Sequence, residues 1–171
     1  MKHLQLLALT AGLALLSSSA LAESAAVNST DKSFLTNAYQ DGLAEVKLGE
    51  LGQTKSANAD VKAFADTLVK DHSAANAEMK TLADTKKVKV AESPSLVAQG
   101  KAKLLDAKSG ADFDKAFAAG LVADHKKDIA AFEKAANEAT DGGVKAFAAK
   151  ILPTLKSHLS MAEDLQNKVG K

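Results

Sequence analysis

Apolar residues recur at alternating intervals of four and three along four long segments of this chain, and in an α-helix this spacing places them on one face. Alanine, lysine, leucine and aspartate dominate these segments, and runs of β-branched residues are lacking. The chain is therefore predicted to be all-α, with helices that bury these faces against one another. The clearest faces, called seams below, are Val61, Ala65, Leu68, His72, Ala75, Met79 and Leu82; Ala118, Leu121, His125, Asp128 and Phe132; and Val144, Ala148, Ile151, Leu155, His158, Ala162, Leu165 and Val169.

An internal repeat indicates how the predicted helices are paired. The pentapeptide VKAFA occurs at 61–65 and again at 144–148, so the first two helices look like a diverged copy of the last two. Two helical hairpins with a long connection are typical of a four-helix bundle with one crossover. The predicted helices cover 31–56, 60–86, 112–140 and 144–169, and the connection covers 87–110, where Pro94 is a breaker and residues 95–107 could form a short helix.

The N-terminal segment is predicted to be a cleaved secretory signal peptide, residues 1–22. Lys2 begins it, an apolar run follows at 4–16, and the segment ends in the small-x-small pattern Ala20-Leu21-Ala22. The domain would then comprise 23–171 and is expected in the periplasm. It has no cysteine and no stretch near the ~20 apolar residues of a membrane span, so neither disulfides nor a transmembrane segment is expected.

The charged residues argue against several classes of function. All 22 basic residues are lysines, and 21 acidic residues balance them. Since phosphate and guanine edges are commonly recognised by the planar guanidinium of arginine, nucleic-acid binding is not expected. No Ser-His-Asp arrangement, phosphate loop or cysteine nucleophile is evident, so enzymatic activity is not favoured and would have to come from a metal. An envelope protein is a candidate partner, and the oligomeric state is left open.

The histidines are the best functional signal. Only three histidines follow the predicted signal peptide, and each lies in a seam near the middle of a different helix, at His72, His125 and His158. Two of them follow an aspartate in near-repeated contexts, at Asp71 and Asp124. On the remaining helix Glu45 is equally central, so three imidazoles and one carboxylate are expected at one level of the bundle.

Buried polar groups of this kind need partners, because each one left unsatisfied costs ~1–3 kcal/mol. A metal ion, a carboxylate network or trapped water would each serve. The donor set Glu45, His72, His125 and His158 suits a single transition-metal ion, either Zn, Cu, Fe or Mn, and Asp128 could be a further ligand or an acceptor behind His125. The competing interpretation is a structural polar layer, with Asp71 and Asp124 paired to lysines outside it.

Four ordered stretches resemble one bacterial family: FLTNAYQDGLAEVKLGELG, VKAFADTLVKDH, FDKAF followed by LVADHKKDIAAFEKAA, and VKAFAAKILPTLKSHLSMAEDL. They are similar to the family of domain of unknown function 4142, often described as outer membrane proteins and similar to the ferritin-like superfamily. The resemblance covers nearly all of the predicted domain. It implies an exported ferritin-like four-helix bundle without an established activity.

The resemblance also implies a departure from ferritin-like di-iron chemistry. In that pattern Glu45 and Asp128 match the lone carboxylates, and His72 and His158 match the histidines. The residues three positions before those histidines are Val69 and Leu155, where a di-iron site has glutamates. A conventional di-iron centre is therefore not expected.

Two functions follow from these residues. The first is an exported ferritin-like protein that binds one transition-metal ion in the bundle core, for sequestration or stress protection. The alternative is a non-catalytic envelope stress or interaction module whose histidines are structural and, being buried, sensitive to acid.

Overall fold

The computed structural model describes residues 27–170, and the predicted signal peptide lies outside them. Over this range the chain is all-α as predicted, with five helices and no β-strand. The bounds of the four long helices lie within two residues of the ranges expected from sequence. The connection contains a fifth, short helix, where the sequence indicated that residues 95–107 could form one. The helices are α1 (Ser29–Lys55), α2 (Ala59–Thr85), α3 (Leu96–Asp106), α4 (Gly110–Glu138) and α5 (Gly142–Val169).

Local side-chain chemistry sets where several helices begin. Asn28 caps α1 by accepting from the Asp31 backbone N–H. Asn58 caps α2 by accepting from two backbone N–H groups, and Asp141 does the same for α5. These oxygens satisfy N–H groups that a helix leaves unpaired in its first turn. Helix α5 continues through Pro153.

The four long helices pack as two helical hairpins, and a polar layer separates two apolar clusters in the core. α1 lies along α2 and α4 along α5, the pairs meet through α1–α4 and α2–α5, and α3 lies against α1 and α4. One cluster contains Phe64, Phe113 and Phe117, and the other contains Phe132 and Phe147. Along each long helix a polar core residue lies between the positions that enter the two clusters. These residues are Glu45 on α1, His72 on α2, His125 and Asp128 on α4, and His158 on α5.

Close contact between α1 and α2 depends on glycine. A Cβ placed on Gly49 would lie 2.7 Å from Val69 Cγ2 and 3.0 Å from the backbone oxygen of Ala65. We expect Gly49→Ala to lower the free energy of unfolding by about 1–3 kcal/mol despite the better helix propensity of alanine, because the two helices must separate. Gly120→Ala is the matched control: no atom lies within 4 Å of its added Cβ, and a gain of about 0.5–1 kcal/mol is expected. Urea denaturation of both variants measures the difference, and equal effects would contradict the glycine contact.

Residues 27–170 contain five helices of 11–29 residues. No helix there combines the length and the apolar composition required to cross a bilayer.

Candidate metal centre

Three helices bring the three seam histidines together. His72, His125 and His158 are 7%, 0% and 1% exposed, and one ring nitrogen from each lies within 4.8 Å of the other two. The ring centroids are 5.3–5.6 Å apart. The 3.6-residue period places each side chain on the inner face of its helix, and the packing of α2, α4 and α5 brings the faces to one level.

Hydrogen bonds at the ring nitrogens that face away from the cluster orient two of the imidazoles. The Nδ1–H of His125 donates to the backbone oxygen of Leu121 at 3.0 Å, since a carbonyl oxygen can only accept. The Nε2–H of His158 donates to Asp71 Oδ2 at 3.0 Å, since a carboxylate likewise accepts. Each ring therefore has its outer nitrogen occupied by a proton, as is common for metal-bound histidines.

The inner nitrogens of the same two rings face each other. His125 Nε2 lies 3.4 Å from His158 Nδ1. With both rings neutral, each of these atoms carries a lone pair, so the contact is repulsive unless a proton or a cation lies between them. Two nitrogens bound to one tetrahedral zinc ion at its usual bond length are about 3.3–3.4 Å apart. The observed separation thus matches a pair of ligands to one metal ion.

The third imidazole is left without a partner on one side. His72 Nε2 is buried and makes no hydrogen bond within residues 27–170. A single proton can join His125 to His158, but it cannot also satisfy His72. A metal ion at the centre of the three rings can bind all of them.

Burial keeps two of these rings in the form that binds metal. Burial lowers the pKa of His72 to about 3, and the neighbouring His125 and His158 act in the same direction. Burial lowers the pKa of His125 to about 4, although its hydrogen bond to Leu121 favours the charged form. Neutral imidazole is the metal-binding state, so little competition from protons is expected at these two rings at neutral pH.

The two carboxylates expected at the site form a separate group. Within residues 27–170, the cluster of side chains with metal-ligand spacing contains the three histidines and neither Glu45 nor Asp128. Both acids instead line a cleft beside α3, together with Asp41 and Asp124. Burial raises the pKa of Glu45 well above its ordinary value, with Asp128 next in effect, and burial raises the pKa of Asp128 to about 7. Their ligand roles stay predictions.

The two aspartates that precede histidines have different surroundings. Asp124 pairs with Lys101 at 3.0 Å, as expected for a residue outside the seam. Asp71 was expected to pair with a lysine as well, and that prediction is wrong, because its carboxylate contacts His158 on α5. The two Asp-His pairs are equivalent in sequence. The helix that packs alongside each aspartate determines whether its partner is a lysine or a histidine.

A buried amide was missed by the sequence reasoning. Asn76 is 6% exposed, and its Nδ2 has no hydrogen-bond partner in the described part of the chain. It packs against Gly42 of α1, where an added Cβ would lie 2.2 Å from Asn76 Oδ1. Asn76 is four residues after His72, so helical spacing from that histidine could have located it.

The fold and the site define a class: an all-helical protein with a buried cluster of three histidines. More particularly, the chain belongs to the family described as Domain of unknown function (DUF4142), whose family model matches residues 16–165, and the resemblance seen in the sequence is confirmed. No individually curated protein sequence matches the chain.

Two solved structures share the fold. A DUF305 fragment from Deinococcus radiodurans is similar with a TM-score of 0.74 and 13% identity, over 83% of this chain and 98% of that one. CopM in the Cu(II)-bound form is similar with a TM-score of 0.68 and 14% identity, over 81% of this chain and 96% of that one. At these identities the similarity concerns the fold.

Proposed function

We propose that this chain is an exported, periplasmic protein with a ferritin-like four-helix bundle that binds one transition-metal ion through His72, His125 and His158, for metal sequestration or stress protection. The observation that carries the proposal is the convergence of three ring nitrogens, which a single shared proton cannot satisfy together. A buried polar cluster without its partner is costly, and a metal ion supplies that partner. Glu45 and Asp128 lie outside the donor set in this proposal.

The donor chemistry narrows the choice among Zn, Cu, Fe and Mn. Imidazole nitrogen suits zinc, copper and iron, whereas manganese favours oxygen donors. Among divalent ions, Cu²⁺ binds most tightly to a given nitrogen site. CopM, which has a similar fold, has been solved with Cu(II) bound. Copper is therefore the first candidate and zinc the second.

Elemental analysis of untagged protein from the exported fraction tests this function. We expect close to one metal ion per chain in the wild type. Less than about a tenth of that is expected in His72→Ala/His125→Ala, because two of three ligands are lost. Glu45→Gln is the control and should keep its metal, since Glu45 is not among the three side chains that converge. Wild-type protein that holds no ion and binds none at micromolar concentration would contradict the proposal.

A second function has its own support, namely a non-catalytic envelope module with a structural histidine layer. The bonds from His125 to Leu121 and from His158 to Asp71 stabilise the layer without metal. An envelope protein would then be the binding partner, and metal content would be the same in the wild type and the histidine variant.

A further inference from the structure

One cleft reaches the histidine cluster from the protein surface. It lies between α2 and α5, has a volume of about 310 Å³, and includes both His72 and His158 in its wall. The remaining wall is made of small, apolar and charged side chains: Asp71, Ala74, Ala75, Glu78, Lys150, Ile151, Thr154 and Leu155. The clefts beside α3 that border Glu45 and Asp128 include none of the three histidines.

The cleft is lined by an exposed ion pair at one place and by the buried histidines at another. Glu78 lies six residues after His72, about 9 Å farther along α2 at 1.5 Å per residue. There it holds the ammonium group of Lys150, whose Nζ lies 2.7 and 2.8 Å from the two carboxylate oxygens. Between this pair and the histidines lie Ala75, one turn from His72, and Thr154, one turn from His158.

The outer pair is accessible and its charges are exchangeable. The side chains of Lys150 and Glu78 are 63% and 43% exposed, so their attraction is screened by water and contributes little to stability. A hydrated cation can displace the lysine ammonium from Glu78 at small cost. Asp71, 33% exposed and already bonded to His158, supplies a second negative charge deeper in the cleft.

We propose that the metal ion enters and leaves the histidine cluster through this α2–α5 cleft, and that Glu78 captures the cation first by exchanging it for Lys150. The inference rests on the proposed metal-binding function and adds the route and the capture residue. Neither Glu78 nor Lys150 belongs to the metal site, so both control how fast the ion binds, with little effect on how tightly it binds.

Narrowing the cleft tests the route. Ala75→Phe places a ring in the wall one turn from His72, and Ala44→Phe does the same in the cleft beside Glu45. We expect Ala75→Phe to slow Cu²⁺ uptake and release together by about tenfold or more, with Kd within about threefold of wild type, since a barrier on the route changes both rates alike. Rates are followed by exchange with a chromophoric chelator in stopped flow. Wild-type rates in Ala75→Phe, or slowing only in Ala44→Phe, would overturn the route.

The surface charge variants test capture without a risk to folding. Glu78→Gln removes the carboxylate and leaves Lys150 at the mouth, so Cu²⁺ uptake should slow by about three- to tenfold at low salt. Lys150→Gln leaves Glu78 unpaired and should speed uptake, and both effects should shrink at high ionic strength. Changes of the same sign in the two variants, or none in either, would overturn capture by Glu78. Lys156→Gln, from the exposed Lys156–Glu133 pair, is the control and should have wild-type rates.

The failure of the route is distinguishable from failure of the metal site. If wild-type protein binds no Cu²⁺ at equilibrium, both proposals fall. If it binds one ion per chain and the cleft variants exchange it at wild-type rates, only the access route is rejected.

Discussion

Replacing Asp128 with asparagine is expected to raise the free energy of unfolding of the metal-free protein by about 4 kcal/mol at pH 8. Burial raises the pKa of Asp128 to about 7 from an ordinary 3.8, so its charged form is disfavoured in the fold. At ~1.4 kcal/mol per pKa unit, the ionised group costs about 4 kcal/mol above pH 7. Asparagine has the same shape without the charge. Chemical denaturation with chelator present measures this gain.

Acid affects the buried histidines and the buried acids in opposite ways. The pKa values of His72 and His125 are lowered to about 3 and 4 in the folded protein. Below the ordinary histidine pKa of about 6.5, the unfolded chain therefore binds more protons than the folded one. Each of these histidines therefore lowers the free energy of unfolding by about 2 kcal/mol between pH 8 and pH 5. Asp128 acts with the opposite sign, because the folded protein binds a proton at this group at a higher pH than the unfolded chain does. Between pH 8 and pH 5 this raises the free energy of unfolding by about 3 kcal/mol. Glu45 acts in the same direction as Asp128.

The free energy of unfolding of the wild type should consequently change little with pH, because the buried histidines and the buried acids offset each other. Asp128→Asn removes one of the two buried acids that offset the histidines, and the variant's stability should fall with acid by about 3 kcal/mol more than that of the wild type. Asp124→Asn is the control on the same helix, where loss of an exposed ion pair changes stability by less than about 1 kcal/mol. An Asp128→Asn protein less stable than wild type at pH 8 would show that the buried carboxylate is not penalised.

Removing the carboxylate behind His158 is expected to weaken metal binding by about 10–100-fold. Asp71→Ala leaves the Nε2–H of His158 without its acceptor, so the ring loses both its fixed tautomer and its orientation. Asp71→Asn keeps an oxygen that can accept and should fall between Ala and wild type. Chelator competition with Cu²⁺ and Zn²⁺ measures Kd.

Asp124→Asn is a matched control for this effect, since it is the second aspartate of the repeated Asp-His pair. Its carboxylate pairs with Lys101 and does not hydrogen-bond to a histidine, so a change of Kd below about threefold is expected. If both variants weakened binding equally, the loss would reflect overall negative charge near the site, and the specific role of Asp71 would be rejected.

Local periodicity and capping determined much of the fold from sequence. Seams at intervals of four and three defined the long helices and placed His72, His125 and His158 in the core, because each helix repeats every 3.6 residues whatever its neighbours. The caps at Asn58 and Asp141 depend on the backbone N–H groups two and three residues ahead, so they too are local properties.

Only the tertiary structure decided how the polar layer is divided. Sequence placed Glu45 at the same level as the histidines, yet Glu45 lies with Asp128 beside α3, because a shared level along the bundle axis does not fix the direction of a side chain around it. Asp71 and Asp124 each directly precede a histidine in near-repeated contexts, and they acquire different partners from the helices packed against them. The facing nitrogens of His125 and His158 result from the packing of α4 on α5, and no local pattern contains that contact.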